Sequence, residues 1–331
     1  MSEPAPIRRR VVILHDEQEL PAPIFVLAPA RSFTSVVCAM LGQHPQLYAL
    51  PETNLLCADT VGTRLARADR STHRTILHGL LRSVAQLEFG AQTVTTVGLA
   101  REWLEARAEF PTELLFQCLM ERVAPRAVIE KSPSMVTEAC LRRIGEMFPA
   151  AWFLHLVRHP RGHGDSVLKA IADHERRGPL APTNWLLQVA AYRPDGRERN
   201  DSAHDPQHWW YARNVTIENF LRTIPADRQL RIRGEDVLQD PDTHLRTIAS
   251  WLGMRTDDAA VDAMKHPENS PYAFLGPQGA RFGNDRFFLE QPALRASRAS
   301  VQSLDAPLDW GDGAHLLTPE VKALATEFGY G

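Results

Sequence analysis

The clearest apolar run in the chain is Ile24-Phe25-Val26-Leu27-Ala28, entered through Pro21 and Pro23. Consecutive apolar residues between turn signals predict a short strand buried on both faces. A polar turn follows, Pro29-Ala30-Arg31-Ser32. From Phe33 onward Val36, Val37, Met40 and Leu41 recur at helical spacing, until Gly42 and Pro45 end the pattern. Three further runs read as strands. Ala127-Val128-Ile129 enters Glu130-Lys131-Ser132-Pro133. Trp152-Phe153-Leu154-His155-Leu156-Val157 enters Arg158-His159-Pro160. Leu230-Arg231-Ile232 precedes Gly234-Glu235-Asp236. Helical patterns fill residues 53–123 and 207–221, and an amphipathic helix is predicted over 240–252, closed by Gly253. Residues 270–313 mix Gly, Pro, Asp, Arg and Phe, and predict a long ordered loop or lid. There is no internal repeat. Strands alternating with helices predict an α/β fold, a central parallel sheet with helices on both faces.

Composition narrows the class of partner. The chain has 331 residues with 44% hydrophobic and 23% charged, enough for a sizeable core and unlike a disordered chain. At roughly 150 residues per domain the length allows two domains. The net charge of −3 points to neither nucleic acid nor an anionic membrane as a partner. Only four basic residues are lysines: Lys131, Lys169, Lys265 and Lys322. Codon bias accounts for the arginine excess, yet a lysine kept in such a chain invites a search for its role. The four cysteines, Cys38, Cys57, Cys118 and Cys140, have no metal-site or disulfide-framework spacing. Free thiols fit a cytoplasmic protein. The charged start of the chain, with only Val11 to Leu14 as an apolar run, does not make a signal peptide, and no apolar stretch is long enough for a transmembrane helix.

Three strand ends carry a cation: Arg31, Lys131 and Arg158. In an open α/β sheet, ligands bind outside the carboxyl ends of the strands. Three cations at that edge imply an anionic ligand with several phosphate or sulfate groups. Arg31-Ser32-Phe33-Thr34-Ser35 links a buried strand to a helix, where unpaired N–H groups, the helix dipole and three hydroxyls make a phosphate cradle. An ordinary Ser/Thr helix cap accounts for the same residues equally well. The GxxxxGK[ST] loop is absent, which argues against an enzyme that hydrolyses ATP or GTP.

The first strand with Arg31-Ser32-Phe33-Thr34-Ser35 resembles the 5′-phosphosulfate loop of sulfotransferases that use 3′-phosphoadenosine 5′-phosphosulfate (PAPS). Met40-Leu41-Gly42-Gln43-His44-Pro45 and Leu50-Pro51-Glu52-Thr53 resemble the segments that follow it. The likeness is greatest to bacterial sulfotransferases and to the sulfotransferase domains of olefin-forming polyketide synthases. Arg158-His159-Pro160, with Ser166 eight residues after the Arg, resembles the 3′-phosphate element. Glu130-Lys131-Ser132-Pro133 resembles the lysine segment, and Gly283-Asn284-Asp285-Arg286-Phe287 the loop that closes over the cofactor. Trp210 and Asn214 match a spacing in the relatives, with a packed helix face as the equal alternative. Three positions depart. Ala30 stands where proline is usual, Phe33 where glycine is usual, and Gly234 where tyrosine is usual, so an aromatic contact to adenine is lost there. A backbone donor survives at Phe33 if its φ is negative.

The resemblance spans about residues 22–254. It implies one P-loop-like α/β domain over 1–331, with an N-terminal extension (1–20), a core (22–254) and a lid (270–313). It implies transfer of a sulfuryl group from PAPS to a hydroxyl or phenol of a small metabolite or carrier-bound acceptor, without a metal, leaving 3′-phosphoadenosine 5′-phosphate (PAP). The catalytic residues are then Glu52, Lys131 and Arg31, with Glu52 as general base and His44 as the second candidate. The cofactor-binding residues are Arg31, Ser32, Phe33, Thr34, Ser35, Arg158, Ser166 and Arg286. A first-turn acid after Pro51 is the plain alternative for Glu52. His155 and His163 read as structural. Leu55, Leu56, Trp103, Phe110, Phe274, Phe282, Phe287 and Phe288 are candidates to line an apolar acceptor cleft. A nucleotide kinase of related topology, and an inactive nucleotide-binding module with Phe33 filling the phosphate pocket, are the alternatives. The oligomeric state is not legible.

Overall fold

The computed structural model describes residues 20–69, 74–177, 205–295, 303–310 and 316–331. Its centre is β1 (Ile24–Leu27), the middle strand of a five-stranded sheet. With β2 (Leu47–Ala49), β3 (Ala127–Glu130), β4 (Trp152–Val157) and β5 (Gln229–Arg233), the order is β2-β3-β1-β4-β5. Every pairing is parallel. All five carboxyl ends therefore reach one edge.

β1 and most of β3 and β4 are apolar because both faces are covered, whereas the edge strand β5, Gln-Leu-Arg-Ile-Arg, buries only Ile232. Phe25, Leu27, Val128 and Phe153 face one core, which holds Leu80, Leu81 and Val84 of α3 (His78–Phe89), Phe116 of α5 (Thr112–Val123) and Ile144 of α6 (Glu138–Met147). The Phe25 ring stacks on Phe116 and Phe153 with centroids 6.0 and 5.8 Å away. Helices α2 (Val61–Asp69) and α4 (Val94–Glu105) extend the same core. Ile24, Val26, Ile129, Leu154 and Leu156 face the other core, against α1 (Thr34–Leu41) and the helices Pro241–Trp251 and Asp258–Met264. Helix α7 (Pro160–Arg177) follows β4.

Four of the five strands and the helix after β1 match the sequence reading. β2 does not, because Leu47-Tyr48-Ala49 is a three-residue strand beside Pro51, too short to stand out as an apolar run. It is placed by a close turn: a Cβ at Gly42 would lie 2.6 Å from the Ala49 Cβ. Residues 53–60 are irregular, so the helical insertion begins only at Val61. Gly234 opens a short helix, Gly234–Gln239, rather than a loop. The expected lid contains the helix Arg286–Glu290. Its residues 296–302 and 311–313, like Val11 to Leu14 and the rest of 1–19, lie outside the described residues. No helix among the described residues is long and apolar enough to cross a membrane.

Candidate active site

The loop from β1 to α1 is held in an unusual backbone conformation. Arg31 has φ 75° and Phe33 φ 64°, both in the left-handed region. For non-glycine residues that conformation costs about 1–3 kcal/mol each. The condition set for Phe33, a negative φ, is not met: the residue keeps the conformation a glycine would take. Phe33 is also the N-cap of α1 and no side chain caps it, which removes the ordinary Ser/Thr cap as an account of this loop. The Ser32 hydroxyl is buried with no partner among the described residues. Thr34 and Ser35 are buried in the first turn.

Neighbouring elements fix the loop. His163 on α7 is fully buried, and its Nε2 lies 3.0 Å from the Ala30 carbonyl. Only an N–H can satisfy that carbonyl, so Nε2 carries the proton. Burial and the nearby arginines push the imidazole down to about 3, so it stays neutral. Arg158 Nη1 donates to the Arg31 carbonyl at 2.6 Å. Trp210 Nε1 in turn donates to the Arg158 carbonyl at 2.8 Å, a packing role for that residue. Asn214 pairs with His155, so it too is structural.

The three strand-end cations do meet. Arg31 Nε donates to Ser166 Oγ of α7 at 3.1 Å, and its guanidinium pairs with Asp285. The Lys131 ammonium is buried, 3.4 Å from both Ser35 Oγ and Glu52 Oε1. Ser35 Oγ also accepts from the Asp285 N–H at 2.9 Å. Arg158 stacks on the Phe33 ring with its guanidinium carbon 4.1 Å from the centroid, and its Nε is buried without a partner among the described residues. Burial pushes Arg31 down to about 10, helped by the charge of Arg158, and burial does the same to Arg158. Buried cations beside orphaned donors are stabilised by an anion placed among them.

Glu52 reaches this edge from β2. It lies in a loop, not in a helix, so the first-turn reading fails. Its N–H donates to the Gly283 carbonyl at 2.6 Å. Its carbonyl abuts Gly79 so closely that a Cβ there would be 2.0 Å from it. Asn54, with φ 50°, donates from Nδ2 to the Glu52 carbonyl at 3.2 Å and accepts from Ser134 Oγ at 2.6 Å. Thr53 donates to the buried Glu130 carboxylate at 2.8 Å, which also accepts from the Ser132 N–H. Burial pushes that carboxyl up, against these hydrogen bonds. The flanks of Glu52 and Lys131 are thereby joined. His44 is not part of the site: it is buried, bonded to the Arg255 carbonyl and the Gln46 N–H, where it closes the turn after α1.

Most of these groups open on one cavity of about 900 Å³, but Ser32 and Lys131 lie behind its walls and do not line it. Its walls include Arg31, Phe33, Thr34, Ser35, Glu52, Arg158, Ser166 and Arg286. Arg286 bonds Glu290 at 2.8 Å. Of the eight apolar candidates for the cleft, only Phe282, Phe287 and Phe288 line it. Leu55 and Leu56 belong to the core, Trp103 and Phe110 pack about Arg107, and Phe274 is exposed. Gly79 and Asn54 were not read as site residues, and Gly283 and Asp285 were read only as part of the segment 283–287 that resembles the cofactor-closing loop, without their partners far back in the chain. Among the described residues no group of His, Cys, Asp or Glu is placed to hold a metal ion.

A model of the sulfotransferase family matches residues 23–258. The solved sulfotransferase domain from the curacin biosynthetic pathway is 20% identical, with a TM-score of 0.67 over 95% of this chain and 99% of that one. The sulfotransferase domain from the Synechococcus PCC 7002 olefin synthase is 25% identical, with a TM-score of 0.66 over 95% of this chain and 97% of that one. The likeness shows that the α/β fold is shared. No curated protein gives a significant sequence match.

Proposed function

The chain belongs to the sulfotransferase family, and from that premise we propose that it moves a sulfuryl group from PAPS to a hydroxyl or phenol of a small metabolite or carrier-bound acceptor. The observation that carries this reading is the half-buried Arg31–Arg158 pair, with Arg158 Nε and Ser32 Oγ beside it buried and unpartnered among the described residues. Such a pair fits a ligand with two separate anionic ends better than a ligand with one. When bound, PAPS supplies an activated sulfuryl group on a phosphate leaving group.

Each residue then has a task. Arg31, Ser32, Thr34, Ser35 and the Phe33 backbone hold the 5′-phosphosulfate at the start of α1. Arg158 and Ser166 hold the 3′-phosphate, and Arg286 reaches it from the lid. Lys131 and Arg31 stabilise charge that builds on the bridging oxygen as the sulfur–oxygen bond breaks. Glu52 takes the proton of the attacking hydroxyl, which requires hydrogen-bond reach of the acceptor. Its carboxylate lines the cavity beside the Lys131 ammonium at 3.4 Å, which supports that task. We read residues 1–331 as one catalytic domain. The free thiols support a cytoplasmic setting.

Calorimetric titration with PAP tests the reading. Micromolar affinity is expected. Absence of binding at millimolar PAP, an affinity weaker than about 4 kcal/mol, overturns it. Mass spectrometry of products formed from labelled PAPS in a lysate then identifies the acceptor.

A further inference from the structure

Two departures from the family pattern meet in space. The resemblance expects glycine at position 33 and tyrosine at 234, where this chain carries Phe33 and Gly234. A Cβ added at Gly234 would lie 2.5 Å from Cδ2 of the Phe33 ring. No larger residue fits at 234 while the ring stays where it is. The ring has taken the space over the start of helix Gly234–Gln239 and lines the cavity.

The ring also packs against the core on that face of the sheet and meets Arg158, whose guanidinium carbon lies 4.1 Å from its centroid. A cation partly stripped of water gains from an aromatic face, and Arg158 is half-buried with its Nε shut off from solvent. Its Nη1 is committed to the Arg31 carbonyl, while its Nε has no partner among the described residues. The ring is retained although φ 64° would suit glycine better. The exchange of a large and a small residue thus moves an aromatic side chain from one wall of the site to the other and sets it against the guanidinium.

We infer that Phe33 is a positioning residue for Arg158. Its ring, seated over Gly234, fixes the guanidinium plane at the cavity wall so that the free edge meets the 3′-phosphate of the nucleotide. This rests on the nucleotide reading above. The ring acts through Arg158, so it governs discrimination between nucleotides with and without that phosphate.

The test is the ratio of affinities for PAP and for adenosine 5′-phosphate, measured by calorimetry on the full chain. The wild type should prefer PAP at least tenfold. Phe33→Gly should weaken PAP tenfold or more and adenosine 5′-phosphate less than twofold. Phe33→Tyr should keep the wild-type ratio. Gly234→Ala displaces the ring while leaving the loop residues unchanged, and should lose the ratio as Phe33→Gly does. The double variant Phe33→Gly, Gly234→Tyr should regain part of it. A Phe33→Gly variant with the wild-type ratio, or with equal losses for both nucleotides, overturns the role of the ring and leaves the cofactor reading intact. A wild type that shows no preference for PAP overturns the 3′-phosphate assignment itself.

Discussion

Gly79 offers a sharp test of how Glu52 is held. It is the second residue of α3, and a Cβ there would lie 2.0 Å from the Glu52 carbonyl oxygen and 2.6 Å from its carbon. An ordinary carbon–oxygen contact is about 3.3 Å, so Gly79→Ala demands a shift of about 1.3 Å. Helix α3 cannot easily supply it, because Leu80, Leu81 and Val84 are packed in the core. The Glu52 segment yields instead, away from Lys131 and the Gly283 carbonyl. A misplacement of about 1 Å at a reacting group costs about 100-fold in rate. Stability gives an independent sign. Alanine for glycine in a helix gains up to about 1 kcal/mol, whereas overpacking costs about 1–3 kcal/mol. The variant should melt below the wild type, bind PAP within about twofold of it, and transfer labelled sulfate to the lysate acceptor about 100-fold more slowly. A variant that melts higher and transfers at the wild-type rate would refute the claim that this backbone contact places the base.

Glu52→Gln should keep PAP affinity while turnover falls about 10²–10⁴-fold, and normal turnover with an identified acceptor would remove Glu52 as the base. Folding stability should fall as pH drops below 6.5. Burial lowers His163 from 6.5 to about 3 and His78 to about 4, so the unfolded chain binds more protons in that window. Each contributes a slope of up to about 1.4 kcal/mol per pH unit, and His163→Gln should flatten the fall of the urea midpoint; an unchanged slope would count against a buried neutral His163. Gly164→Ala should destabilise the fold by about 1–3 kcal/mol, the cost of an overpacked contact, and so lower the thermal midpoint. A Cβ there would be 2.1 Å from Cζ2 of the buried Trp310, so an unaltered midpoint would mean the indole is not seated on α7.

Buried parallel strands announce themselves as unbroken apolar runs, which is why β1, β3 and β4 and the cations at their ends were legible; the edge strand β5 showed only through Leu230-Arg231-Ile232 before Gly234. β2 was hidden by its brevity. The supports of Glu52 were hidden for a different reason. Gly79 and Gly283 act through backbone packing that only the folded chain creates, and Asp285 meets Arg31 across most of the sequence. The left-handed φ of Phe33 defies local rules, which reserve that region largely for glycine. His44 looked like a base because imidazoles suit that task, yet its local turn uses both ring nitrogens. Scarcity of lysine was a mixed guide. Lys131 is buried at the site, whereas Lys265 and Lys322 pair with surface aspartates.

The contacts made by residues 283 and 285 have a consequence for synthesis of the protein. Gly283 accepts from the Glu52 backbone, and Asp285 bonds both Arg31 and Ser35. The sheet, its cations and Glu52 are all translated before these two residues leave the ribosome. A chain that stops short of them owns Arg31, Lys131, Arg158 and Glu52, yet lacks Arg286 and two of the contacts that register the base and Arg31 against the phosphate loop. Prematurely terminated products should therefore be silent rather than promiscuous, and competence arrives with the last part of the chain to emerge.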